Sequence, residues 1–197
     1  MNEFFVIANQ TEGLYKEKGS KFLAYAYPVE DEDAIAEILA ALKKKYYDAR
    51  HHCYAYIIGL KDQAYRANDD GEPNHSAGDP ILGQIRSHNL TNTLVVVVRY
   101  FGGTKLGVGG LISAYKIAAD EALSKAEVKK VSSRTSFKLI FPYTETAQVE
   151  RILAEHEVVY AEKNFTTECE FLGSIKDEEV AGFVEKFELL LAKVEIL

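Results

Sequence analysis

Five glycines fall within nine residues, at Gly102, Gly103, Gly107, Gly109 and Gly110, and Arg99, Tyr100 and Lys105 stand among them. Glycine admits positive φ and lets another group approach the backbone closely. With a strand before the loop and a helix after it, the free N–H groups of the helix start and the two cations would suit an anion or a phosphate. The loop is not a Walker A motif, because Val108 follows Gly107. As a dinucleotide fingerprint it is poor, because Ile112 stands where the third glycine belongs. A tight strand-to-helix connection accounts for the same glycines equally well.

A second cluster is Asp69-Asp70-Gly71-Glu72-Pro73 with His75. Three carboxylates and an imidazole so close together could hold a hard cation or act as general acid and base. Asp-Gly and Glu-Pro are also turn dipeptides, so the plainer reading is an exposed turn. A third cluster is Arg50-His51-His52-Cys53. In a strand, His51 and Cys53 would share one face, and His52 the other with Tyr54 and Tyr56. A zinc site needs a second ligand pair at matching spacing, and the sequence has none. Neither a metal nor a cofactor is expected.

These residues need elements to position them. Strand formers fill 4–28, and Pro28 closes the run. Ile35, Ile38, Leu39, Leu42 and Tyr46 repeat at helical spacing, with acids at 30–33 and Lys43–Lys45 complementing the helix dipole. Residues 52–59 read as the next strand, 68–80 as turns and 81–86 as a short helix. Leu94–Val98 reads as a strand covered on both faces. It leads into the glycine loop and then a helix with Leu111, Tyr115, Ala118 and Ala122 on one face. A boundary is expected near 129–136, dividing the chain into domains 1–130 and 131–197. Beyond it the order is strand (137–141), helix (145–156), strand (158–164), strand (167–172), helix (177–189) and strand (192–196). That βαββαβ order is the ferredoxin-like arrangement.

The net charge of −7 is uneven: residues 1–130 hold 16 basic and 17 acidic side chains, and 131–197 hold 7 and 13. The balance argues against non-specific polyanion binding by the whole chain but leaves room for a local basic patch. No run of about 18 apolar residues occurs, so no membrane partner is expected. The start lacks the basic segment of a secretory signal, and two isolated cysteines suggest free thiols. The expected compartment is the cytoplasm.

Several ordered segments resemble the Impact/YigZ family. They are Lys18-Gly19-Ser20-Lys21-Phe22, His52–Tyr56, Asn68–Pro73 with Ala77–Leu82, and Val98–Gly103 through Gly107, Gly109–Leu111 and Ala114-Tyr115. The resemblance implies an α+β chain with two parts. The N-terminal domain would be similar to a domain of a small-subunit ribosomal protein and to domain IV of elongation factor G. The C-terminal domain would be ferredoxin-like. Eukaryotic relatives act in translational control by binding a large activator of a repressing kinase. Their additional N-terminal interaction domain has no counterpart here, so the kinase pathway is not expected.

The resulting expectation is a translation-linked regulatory or binding protein that contacts RNA, the ribosome or a translation factor. Its surface would carry Arg99, Tyr100, Gly102, Gly103, Lys105, Gly107, Gly109 and Gly110 together with Asp69, Asp70, Glu72 and His75. Arg50, Arg66 and Arg86 would add charge, and Tyr54, Tyr56, Tyr100 and Phe101 would offer stacking. The alternative is an enzyme acting on a phosphorylated or anionic small molecule. The glycine loop would then bind the anion, and the Asp-Asp-Gly-Glu segment would supply a base or a metal ligand. No residue pattern settles whether the chain is an enzyme.

Overall fold

The structure is a computed structural model that describes residues 3–60 and 63–197. The chain forms two compact units, one of Phe4–Val131 and one of Ser132–Leu197 with which Glu3 is grouped. Both mix helices with sheets, which makes the chain α+β.

In the first unit the elements are β1 (Glu3–Ile7), β2 (Thr11–Glu17), β3 (Ser20–Pro28), α1 (Glu32–Lys45), β4 (His51–Ile58), β5 (Ala64–Asn68), α2 (Gly78–Ser87), β6 (Thr93–Tyr100), α3 (Gly107–Leu123) and β7 (Val128–Ser132). Five strands make an antiparallel sheet in the order β2-β3-β6-β4-β5. β1 and β7 form a separate pair. Side-chain alternation sends Phe22, Ala24, Cys53, Ala55, Val95 and Val97 to one face, where α2 and α3 pack. Tyr25, Tyr56, Leu94, Val96 and Val98 go to the other face, beneath α1. The central strand β6 is therefore buried from Thr93 to Arg99, as an unbroken run of β-branched residues implies.

α1 begins where Asp31 accepts from the Ala34 N–H at 2.8 Å and ends on Lys43, Lys44 and Lys45. The charges complement the helix dipole as the sequence suggests, and the Asp31 side chain adds a cap. Three features differ from the periodicity reading. β5 is an additional strand, short and with its side chains half or fully exposed, so it carries no apolar alternation. α2 starts at Gly78, ahead of the apolar run, because its first turn is capped from a distance by Asp69. α3 starts at Gly107, inside the glycine loop.

The second unit comprises β8 (Arg134–Phe141), α4 (Thr146–Ala154), β9 (Val159–Phe165), β10 (Cys169–Lys176), α5 (Val180–Glu185) and β11 (Lys193–Ile196). Its antiparallel sheet runs β11-β8-β10-β9. Phe137, Phe141, Phe171, Phe183 and Phe187 fill the core with Val149 and Leu153. α5 is shorter than the expected 177–189. Gly182 lowers its helix propensity by up to about 1 kcal/mol, and Leu189 beyond it is 96% exposed, so packing does not extend the helix. No helix among the described residues is long and apolar enough to cross a membrane.

Candidate functional site

Glu72 and Pro73 meet the glycine loop, through Phe101, Lys105 and Gly107, in one cleft of about 450 Å³ at the start of α3; Asp69, Asp70 and the other loop glycines do not line it. Arg50, Arg99 and Lys105 supply charge to it, and Phe101, Val108 and Leu111 supply apolar wall. β6 delivers Arg99, and the turn after β5 delivers Glu72. The two meet with Arg99 Nη1 2.5 Å from Glu72 Oε1, their side chains 7% and 4% exposed. The Tyr115 hydroxyl, two turns along α3, donates to the same oxygen at 2.8 Å. Cys53 Sγ lies 3.3 Å from that hydroxyl and 2.9 Å from the Asp69 carbonyl oxygen. Burial pushes the Cys53 thiol up, and does the same to the Tyr115 phenol. Neither is a ready nucleophile or base. Arg99 Nε is buried and has no hydrogen-bond partner among the described residues.

The acidic cluster does not converge on a single point. Asp69 accepts from the backbone N–H groups of His75 (2.8 Å), Ala77 (2.9 Å) and Gly78 (2.8 Å). Asp70 accepts from the His52 N–H at 2.6 Å, and its own carbonyl accepts from His51 Nδ1 at 2.9 Å. Glu72 is not part of an exposed turn, since only 8% of it reaches solvent. His75 points outward, 81% exposed, and pairs with Asp79 at 2.6 Å. Asp70 and His75 both take left-handed backbone, with φ of 41° and 63°, held there by these hydrogen bonds. No group of three or more His, Cys, Asp or Glu side chains among the described residues could hold a metal ion.

Burial alone would raise the Asp69 pKa, but its three backbone donors outweigh that and hold the carboxyl below its ordinary 3.8. A depressed folded pKa contributes stability that is full above the unfolded pKa and is lost as pH falls through the folded value. Asp69→Ala is therefore expected to cost about 1–2 kcal/mol at pH 7. The gap between wild type and variant should narrow as urea unfolding is repeated towards pH 2. A gap that holds at pH 2 would show that the carboxylate charge is not what matters.

The glycines serve separate ends. Gly103 and Gly107 have φ of +88° and +72°, which L side chains adopt at a cost. Gly102 lies against the Gly19 backbone, and its N–H donates to Ser20 Oγ at 3.1 Å. A Cβ on Gly109 would meet nothing within 4 Å, and one on Gly110 would meet the Leu106 Cβ at 3.0 Å. No side chain caps α3, and its first turn carries no acid. Lys105 is exposed beside it.

Tyr100 is turned to the α1 face of the sheet, where its hydroxyl donates to Asp48 at 2.7 Å and that bond pushes its pKa up to about 12. Tyr56 is buried with its hydroxyl on Glu32 at 2.6 Å, and Tyr54 stacks beside it. Arg66 and Arg86 do not line the cleft. Of the four aromatics considered for stacking, Phe101 at 54% has the exposed ring. Sequence reasoning missed the link from Tyr115 to Glu72, because Tyr115 falls on the apolar stripe of its helix. It also missed Lys16 and Lys21, whose only signal is their alternation along β2 and β3.

The model of the Impact N-terminal domain family matches residues 18–123. The chain is 32% identical over 185 residues to the Bacillus subtilis IMPACT family member YvyE, covering 94% of this chain and 85% of that one. It is 31% identical over 140 residues to YigZ of Escherichia coli, covering 70% and 69%. A crystal structure of a hypothetical protein, 25% identical, aligns over 100% of this chain and 98% of its own with a TM-score of 0.75.

Proposed function

The chain belongs to the IMPACT family, and from that premise we propose that it is a translation-linked binding protein whose glycine-loop cleft holds phosphate groups of RNA on the ribosome. In this reading the two compact units are two domains. The first is related to the ribosomal-protein and elongation factor G domain IV fold. The second, with its β11-β8-β10-β9 order, is ferredoxin-like, and the protein works in the cytoplasm.

One observation carries the reading: α3 opens into the cleft with no side-chain cap and no acid in its first turn. Its N–H groups and the positive end of its dipole are thereby left to an incoming anion. The cleft adds Arg50, Lys105 and the unpartnered Arg99 Nε–H. The alternative, an enzyme acting on a phosphorylated small molecule, would use the same cleft. The carboxylates it would need as base or metal ligand are engaged elsewhere, Asp69 by three backbone N–H groups and Glu72 by Arg99 and Tyr115.

Gly109→Glu separates binding from folding. The new side chain enters open space, improves helix propensity and suits the dipole, so stability should hold or rise by up to about 1 kcal/mol. Its carboxylate would put a negative charge on the first turn of α3, next to the Gly107 and Val108 that line the cleft, and repel an incoming anion. Purified protein is expected to co-sediment with ribosomes at low salt and to be released at high salt, and the variant should not pellet. Pelleting retained by the variant would remove the glycine loop as the contact. No pelleting at any salt would overturn the ribosome reading, and a thermal-shift screen against nucleotides with and without magnesium would then test the enzyme.

A further inference from the structure

We infer that the RNA is taken as a single strand, with Phe101 as a stacking platform between two clefts that receive neighbouring nucleotides. This rests on the RNA-binding reading above and goes beyond it in naming the form of the ligand.

Phe101 follows directly on β6 and lines two clefts at once. One is the α3 cleft. The other, of about 480 Å³, is walled by Leu14, Lys16, Lys21, Leu23 and Tyr100. It lies on the opposite face of the sheet: Lys21 and Leu23 alternate with Phe22 and Ala24, which point to α2 and α3, and Leu23 packs on the α1 side. Phe101 thus stands at the rim, where the two faces meet.

The ring is braced in place. The Arg99 guanidinium carbon lies 5.7 Å from its centroid and 5.5 Å from that of buried Phe22, a cation–π contact on each side. A half-exposed aromatic held this way offers a stacking surface at little ordering cost. Cations surround it on both faces, with Arg50 and Lys105 in one cleft and Lys16 and Lys21 in the other. None of these four makes an ion pair to a carboxylate among the described residues. In a chain of net charge −7 that concentration is local. Interleaved cations and aromatic faces with apolar walls are what a single strand requires, phosphates on the charges and bases on the rings. A duplex keeps its bases stacked internally and cannot offer their faces to Phe101.

The test is fluorescence anisotropy with a labelled eight-nucleotide RNA, the blunt duplex of the same sequence, and uridine monophosphate as competitor. The probes are titrated with wild type, Phe101→Ala, Phe101→Trp, Lys21→Ala and Gly109→Glu, each checked for a melting temperature no lower than that of wild type. The single strand should bind more tightly than the duplex, and the mononucleotide should compete poorly. Phe101→Ala should weaken single-strand binding about 5- to 100-fold and leave the salt slope alone, whereas Phe101→Trp should keep it. Lys21→Ala should lower the log–log salt slope by about 0.7. Equal affinity for both forms, or indifference to Phe101→Ala, would overturn the stacking inference while leaving phosphate binding intact if Gly109→Glu still abolishes it. Competition by the mononucleotide as strong as by the oligomer would replace the strand with a free nucleotide. Absence of binding to any RNA would overturn both this inference and the reading beneath it.

Discussion

Glu72→Ala is expected to destabilise the Phe4–Val131 unit by about 3–5 kcal/mol, because it breaks the most buried ion pair among the described residues. The cause is the guanidinium left behind more than the bond lost. Arg99 is 7% exposed at its side chain and its guanidinium carbon lies 5.5 and 5.7 Å from the Phe22 and Phe101 ring centroids, so the water that reaches it from the cleft compensates little for the lost carboxylate. Tyr115 loses its acceptor in the same step. Urea unfolding at pH 7, followed by circular dichroism, would measure the loss. Glu72→Gln should fall between wild type and alanine, since it keeps an acceptor and removes the charge. The double variant Glu72→Leu/Arg99→Met should recover most of the stability, because two well-packed apolar groups replace a desolvated pair at little cost. A loss below about 1 kcal/mol for Glu72→Ala would mean the pair is reached by solvent and behaves as a surface ion pair. Tyr115→Phe, which removes only a hydroxyl, should cost about 1 kcal/mol.

The same triad shows where sequence reading works and where it stops. The layers were legible because periodicity reports burial. The run Leu94–Val98 reads as a strand covered on both faces, and the structure sets Val95 and Val97 against α2 and α3 and Val96 and Val98 beneath α1. The helix faces of α1 and α3 followed for the same reason. The partners of the polar residues did not follow. Glu72 sits in a string of turn residues, and nothing local distinguishes it from Asp70. Its burial comes from β6 delivering Arg99 27 positions later and α3 delivering Tyr115 43 positions later. Asp69 likewise caps a helix that begins nine residues beyond it, outside the spacing of any local capping motif. Clusters of acids within seven residues look convergent in a sequence, but the backbone in a turn rotates each one to a different neighbour. The second cleft was hidden for a related reason. It is made by adjacent strands whose exposed Lys16, Lys21 and Leu14 look like ordinary solvent-facing positions.

Gly102→Ala is expected to cost at least about 3 kcal/mol and to be the most damaging of the loop substitutions. A Cβ there would lie 1.9 Å from the Gly19 carbonyl carbon and 2.1 Å from the Ser20 nitrogen. Both are backbone atoms, so no rotamer change relieves the clash. Either the β2–β3 turn or the end of β6 must move, and Phe101 moves with it. Three alanine substitutions therefore form an ordered series. Gly103→Ala meets no neighbour but must hold φ near +88°, which costs about 1–2 kcal/mol. Gly109→Ala meets nothing within 4 Å and has no left-handed backbone, so it should gain up to about 1 kcal/mol from helix propensity. Thermal unfolding of the three ranks them directly, and equal shifts would show that the loop imposes no position-specific demand. The series also dissects the glycine cluster, which reads in the sequence as one motif. Gly102 is there because two backbones touch, and Gly103 because the chain turns. Gly109 answers to neither demand, so a glycine that helix stability would replace is left for the ligand to explain. If the open position serves RNA, Gly109→Ala should raise the melting temperature and weaken ribosome binding together. A gain in stability with binding unchanged would return that glycine to chance.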